Sequence, residues 1–169
     1  MRDAVSFQRV QLLHPLVRLE VVATIDAIEA GFPPNVKVRI VQGLRTIDEQ
    51  NALYAQGRTK PGQVVTHARG GRSYHNYGTA IDFAIMYDKD NNGSFEVLSW
   101  DLNYNFDKDG VSDWQEVVQA FKAKGWKWGG DWKGGFKDNP HLEKSFGLTT
   151  SELFAKFISG QVKDGYVIV

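Results

Sequence analysis

The sequence predicts an α+β domain on a mostly antiparallel sheet flanked by helices. Two observations carry this expectation. Segments of helical and of strand periodicity follow one another without the regular strand–helix alternation that builds parallel crossover folds. And 169 residues are enough to bury one core but too few for two ordinary domains.

Element by element, Ser6 is a candidate cap for a short helix running to His14, and Pro15 then stands where a first helical turn tolerates it. In "LVRLEVVATIDAIEAG", Val21, Val22, Ile25 and Ile28 share one face, and Gly31 ends the helix. "VKVRIVQG" alternates Val36, Val38 and Ile40 with Lys37 and Arg39, the period of a half-buried strand. Thr46 and Glu49 have capping-box spacing for a helix closing at Gly57. Residues 58–74 lack periodicity and read as a long loop, a feature that is usually functional in a compact domain. "TAIDFAIMY" reads as a buried strand, followed by an acidic span from Asp88 to Asp113. Ser112 and Gln115 suggest a second capping box, for a helix ending at Gly125. "WKWGGDWKGGFKDNPHLEKSF" reads as short strand, glycine loop and short strand, Thr149 and Glu152 cap a last helix to Gly160, and "GYVIV" is expected as an edge strand.

Composition narrows the function classes. Hydrophobic content of 42% with 24% charged residues is that of a globular chain, so disorder and fibrous repeats are excluded. A formal net charge of zero supplies no global attraction to nucleic acid or to an anionic membrane, so neither is expected as a partner, and a monomer is the default. Without cysteine there are no disulfides or thiolate ligands, which leaves His, Asp and Glu to bind any metal. The N-terminus has no basic segment leading into an apolar run, and no stretch approaches eighteen apolar residues.

The chemistry is concentrated in "SYHNYGTAID", residues 73–82, where His75 precedes Asp82 across a turn into the buried strand. His141 follows "DNP" at the start of another strand. A hydrolytic zinc site needs three protein ligands and one open position, and His75, Asp82 and His141 would supply two imidazoles and a carboxylate. Such a site also needs a carboxylate off the metal to move protons. Asp138 is the natural candidate and Glu143 its competitor; because residues 141 and 143 point the same way in a strand, Glu143 could instead orient His141. Arg45, at the end of the alternating strand, is either a surface ion pair or a guanidinium that steadies a polarised carbonyl.

"SYHNYGTAID" matches the S-x-H-x-x-G-x-A-x-D signature of the zinc-dependent D-alanyl-D-alanine carboxypeptidase and L-alanyl-D-glutamate peptidase family. "LHPLVR", "GLRTIDEQNALYAQGRTKPG" and "GWKWGGDWKGGFKDNPHLE" extend the likeness over nearly the whole chain and resemble its L-alanyl-D-glutamate endopeptidase branch, found in phage lysins and bacterial autolysins. The resemblance implies a Hedgehog/DD-peptidase-like fold, zinc on His75, Asp82 and His141, Asp138 as catalytic base, and Arg45 stabilising the tetrahedral intermediate. It also implies that Ser73, Gln50 and Trp132 contact substrate, which would be bacterial peptidoglycan. Some relatives carry Glu at the base position. Gly78 and Ala80 match small positions beneath the metal. His67 has no matching ligand role and is expected to line the cleft, His14 is read as structure joining helices, and Trp126, Trp128 and Trp132 as core and cleft wall. A D-alanyl-D-alanine carboxypeptidase and a non-catalytic wall-binding module are the alternatives. With no wall-binding module expected beside the catalytic domain, the picture is an endolysin-like enzyme made in the cytoplasm and acting on the wall, or a secreted enzyme whose signal has been removed.

The acidic span offers a second candidate metal site, for calcium. Against the calcium-loop pattern D-x-[DN]-x-[DN]-G-x5-E, Asn105, Asp107, Asp109, Gly110 and Glu116 fill every position, the first with Asn in place of Asp. The bland reading is an acidic loop in which Ser112 caps the next helix. Upstream, Asp88, Asp90, Asn92 and Gly93 begin a similar loop, but Ser99 falls where the bidentate Glu belongs.

Overall fold

A computed structural model describes residues 1–169. Its first helix, α1 (Ala4–Gln11), begins before the expected Ser6 because Asp3 is the cap, its carboxylate accepting from the Ser6 amide at 2.9 Å. Ser6 lies inside the helix, and its hydroxyl accepts from the Ile40 amide at 2.8 Å, tying α1 to the first strand. In α2 (Pro15–Gly31), Pro15 holds the first position, where no intrahelical N–H bond is lost. The cap is His14, whose Nδ1 accepts from the Leu16 amide while Nε2 donates to the Val167 carbonyl at 3.0 Å. His14 is structural, but where the sequence predicts that it joins helices, these bonds tie the start of α2 to the C-terminal Val167.

The strand β1 (Val36–Gln42) alternates as expected, and α3 (Ile47–Ala55) carries the complete Thr46–Glu49 capping box. After the 58–74 loop and a 3-10 turn at Tyr74–Tyr77 comes β2 (Ala80–Tyr87). The acidic span contains a short strand that the sequence reading lacked, β3 (Val97–Ser99). At α4 (Asp113–Ala123) the expected box forms only in part: Ser112 accepts from the Gln115 amide, but no return bond from Gln115 is made. Next come β4 (Lys127–Trp128), β5 (His141–Glu143) and α5 (Thr150–Ile158), the last with the full Thr149–Glu152 box. The C-terminal "GYVIV" does not extend the main sheet. β6 (Val162–Lys163) and β7 (Tyr166–Val167) pair with each other as a separate hairpin, because the type of turn at Asp164–Gly165, both at positive φ, returns the chain on itself.

The main sheet has the order β1-β2-β5-β4, with β3 also on β2, and every pair is antiparallel. The α+β expectation stands. Strand β2 is its centre, and its period of two decides everything that follows. Ile81, Phe83, Ile85 and Tyr87 join the core with Val21 and Ile25 of α2 and Trp114, Val117 and Phe121 of α4. Phe83 and Trp114 have ring centroids 4.3 Å apart. Asp82 points to the other face. Burying each such large apolar side chain contributes about 1.5–3 kcal/mol, so this face anchors β2, while on the opposite face Asp82 stands as the polar residue among Ala80, Ala84 and Met86. No helix is long and apolar enough to cross a membrane.

Candidate metal centre and cleft

Asp82 and His141 are direct cross-strand partners in the β2–β5 ladder, so their side chains leave the sheet side by side. Leu142 of β5 turns into the core, and His141 and Glu143 turn away from it together. His75 is delivered from the 3-10 turn, which Gly78 closes in the left-handed conformation with φ of 68°. A Cβ at Gly78 would stand 2.7 Å from the His14 backbone nitrogen, so only glycine allows this turn to lie against the start of α2. Ser73 caps the turn, its hydroxyl accepting from the His75 amide.

His75 Nε2, Asp82 Oδ1 and His141 Nδ1 form a triangle with sides of 3.1, 3.1 and 3.2 Å. The other ring nitrogens define the tautomers. His75 Nδ1 must donate to the Gly43 carbonyl at 2.8 Å, and His141 Nε2 donates to Glu143 Oε2 at 3.0 Å. Neutral imidazoles so held aim two lone pairs at the Asp82 carboxylate, an arrangement that repels unless a cation stands among them. Ligand bonds of about 2.0–2.1 Å in a tetrahedron separate neighbouring donors by about 3.3 Å, so this donor set fits zinc. Both histidines are buried, so bulk water does not compete freely for them.

Asp138 lines the same cleft. Its position depends on Gly129, where a Cβ would meet the Asp138 carbonyl oxygen at 2.3 Å, and the Asp138 carbonyl in turn accepts from the His141 amide. Burial first, and the Asp82 charge second, push the Asp138 carboxyl up from its ordinary value. That direction suits a group that must accept and then return a proton near neutrality. Glu143 is committed to His141, so of the two carboxylates weighed for that task Asp138 is the free one.

Arg45 is no surface ion pair. Its side chain is only 13% exposed, with Nη2 3.8 Å from Asp82 Oδ2 and Nη1 donating to Gln50 Oε1 at 2.8 Å. Its backbone amide donates to the His75 carbonyl, which ties the segment after β1 to the histidine turn. Gln50 departs from the expectation of substrate contact. It is fully buried, and its amide nitrogen donates to the Ala68 carbonyl at 2.8 Å. Its helical position places it under the loop, where it bridges Arg45 to the cleft wall.

The cleft, of about 530 Å³, brings together Arg45, Ser73, His75, Asp82, Trp132, Asp138 and His141. Trp132 lies 5.2 Å from the His141 ring and stacks at 6.1 Å on Phe136, against which His67 packs edge-on, so His67 lines the cleft as expected. Trp126 belongs to the core, and Trp128 donates to the Asn139 carbonyl. Two contributors escaped the sequence reading. The Gly43 carbonyl has no side-chain signal at all. Arg72, which also lines the cleft, sits in a loop where only the fold reveals which basic residue faces inward.

The calcium expectation meets a different geometry. Asp107, Asp109 and Glu116 do not bring one oxygen each together, whereas Asp88, Asp90 and Glu96 of the upstream loop do, within 4.8 Å of one another. In the 105–116 loop the side chains fold back on local amides: Asn105 accepts from Lys108, Asp107 from Asp109 and Asp109 from Val111. Asp113 instead accepts from the Tyr87 hydroxyl at 2.6 Å. The loop is thus organised around starting α4.

A cleft with two histidines and an aspartate ready for a metal, a separate carboxylate and a held guanidinium defines a metallopeptidase-type centre. The family described as D-alanyl-D-alanine carboxypeptidase matches residues 66–144, which include all three metal-binding candidates. The chain is 51% identical over 132 residues to the peptidoglycan L-alanyl-D-glutamate endopeptidase CwlK of Bacillus subtilis, covering 78% of this chain and 72% of that one. It therefore belongs to the D-alanyl-D-alanine carboxypeptidase and L-alanyl-D-glutamate peptidase family. The L-alanyl-D-glutamate peptidase of Listeria phage A118 is 31% identical over 121 residues, covering 72% of this chain and 35% of the phage protein, so the likeness spans about a third of that relative. In fold, the chain resembles the crystal structure of the Serratia marcescens L-Ala D-Glu endopeptidase ChiX, with a TM-score of 0.53 at 24% identity, over 85% of this chain and 88% of that one.

Proposed function

We propose that the protein is a zinc peptidase that hydrolyses the L-alanyl-D-glutamate bond in the stem peptide of bacterial peptidoglycan. The observation that carries this reading is the three-donor triangle with Asp138 beside it in an open cleft. His75, Asp82 and His141 would hold the zinc, which when bound supplies a Lewis acid for the scissile carbonyl and for water. Asp138 takes the proton released from water on a carboxylate oxygen and hands it to the leaving amine of D-glutamate. Arg45, fixed by Gln50, offers its guanidinium to the oxyanion that develops at the alanine carbonyl. Ser73 and Trp132 line the cleft where the peptide flanks the bond. The similarity to two named L-alanyl-D-glutamate peptidases supports this bond over a terminal D-alanyl-D-alanine bond.

The test is mass spectrometry of the soluble products released from purified peptidoglycan by the zinc-loaded protein and by an Asp138→Ala variant. Expected are stem peptides with a new N-terminal D-glutamate, reduced by about 10²–10⁴-fold in the variant. Free D-alanine as the sole product would move the protein to the carboxypeptidase branch. No product from zinc-bound, folded protein would leave a wall-binding role.

A further inference from the structure

The net charge of zero conceals a strong separation of charge. No Asp or Glu occurs between Glu49 and Asp82, a span that contains Arg58, Lys60, Arg69 and Arg72. Residues 88–116 carry eight acidic and two basic side chains, so the opposite charge is gathered in another segment. All four basic residues of the loop are exposed, and no carboxylate pairs with any of them. Three of them are nevertheless ordered by neutral partners. Arg58 lies 4.0 Å from the Tyr54 ring centroid and donates to the Tyr54 and Thr66 carbonyls. Arg69 lies 5.1 Å from the same ring, and Arg72 lies over Phe154 and donates to the Ser151 hydroxyl. Stacking on aromatic rings restrains these guanidiniums without neutralising them, which lowers the ordering cost of binding an anion.

The loop is also part of the cleft. Thr66, His67, Ala68 and Arg72 form its wall, so whatever the basic residues hold is continuous with the chain entering the site. Resting on the function proposed above, we infer that the 57–72 loop is a docking surface for the free carboxylates of uncut stem peptides in the peptidoglycan polymer. The planar guanidinium matches a carboxylate in two parallel hydrogen bonds. A neutral protein gains attraction to a polyanion only from such a local field. The surface holds the enzyme on an insoluble substrate between cuts.

Wall binding is measured by pelleting the Asp138→Ala protein with sacculi stripped of phosphodiester polymers, at increasing NaCl, so that no turnover is needed for the readout. The same protein carrying Lys60→Gln and Arg69→Gln is compared. The double change is expected to weaken binding about fivefold at low salt and to flatten its salt dependence. Amidating the sacculus carboxylates should abolish the difference between the two proteins. In the background that keeps Asp138, the double variant should cleave a short soluble stem peptide within about twofold of the parent, which also reports an intact fold. Equal pelleting of the two proteins, or binding that requires the phosphodiester polymers, overturns the inference. So does a soluble-peptide rate that falls in step with wall binding. Failure of the parent to cleave any stem peptide would strike the proposed function and leave the pelleting result readable.

Discussion

Gln50 shows how a side chain can serve a cleft that it does not touch. Removing it in Gln50→Ala takes the acceptor from Arg45 Nη1 and the donor from the Ala68 carbonyl, both of them part-buried bonds beneath the cleft wall. Buried groups left unsatisfied cost about 1–3 kcal/mol, so the melting temperature should fall. The rate should fall through kcat, by about tenfold for each 1.4 kcal/mol of lost transition-state stabilisation, with bound zinc unchanged. If Gln50 met substrate directly, the variant would raise KM with stability intact, and that pattern would refute the bridging role. The metal-ligating candidates were legible before any fold was known, since His75 and Asp82 lie within one short motif and His141 closes a second. Gln50 was legible as important but not in its role. Whether a helical glutamine faces a cleft or lies beneath its wall depends on how the 58–74 loop returns over α3, and no local pattern encodes that return.

The start of α4 turns the same reasoning on a segment. Burial, with Asp109, Asp107 and Asp113 nearby, pushes the Glu116 carboxyl up to about 7, and its Oε2 has no hydrogen-bond partner. An unfolded glutamate titrates at about 4.3. The folded protein therefore binds the extra proton between those two values, so the stability that Glu116 contributes is complete below the lower value and is lost as pH rises through about 7. Glu116→Gln should stabilise the protein at pH 8 by about 1–2 kcal/mol after allowance for solvent screening. It should change nothing at about pH 4, where both states of glutamate are mainly neutral. Thermal melts of parent and variant across that range check the claim, and a constant offset at all pH values would refute it. Here too the limits of sequence reading are physical. Helices with Thr–Glu boxes were legible because both partners lie within four residues, as at Thr46 and Thr149. Strand β3 and the C-terminal hairpin were not, because segments of two or three residues show no periodicity and gain their identity from distant partners.

The site joins parts of the chain that the sheet alone holds loosely together. β2 makes a long ladder with β1, from Val36 to Gln42, but only three pairs with β5, which carries His141. A metal on His75, Asp82 and His141 would clamp the histidine turn, the central strand and β5 at one point. Its binding energy would then be folding energy, because the unfolded chain offers no assembled triangle. At a zinc concentration about 1,000 times the dissociation constant, such linkage adds about 4 kcal/mol. For a chain of this size each kcal/mol moves the melting temperature by about 2–4 °C, so chelation should lower it by roughly 10 °C. The loss should also be uneven. Hydrogen exchange at the Leu142 and Glu143 amides should quicken on chelation far more than at Val38 and Ile40, whose amides donate to the buried Glu29 Oε1 and Ser6 Oγ and are held without metal. Asp82→Asn, which keeps the shape but weakens the donor, should mimic the chelated state in both readouts and gain little stability from added zinc. If chelation leaves the melting temperature and the β5 amides unchanged, the triangle does not hold a metal and the peptidase mechanism loses its electrophile.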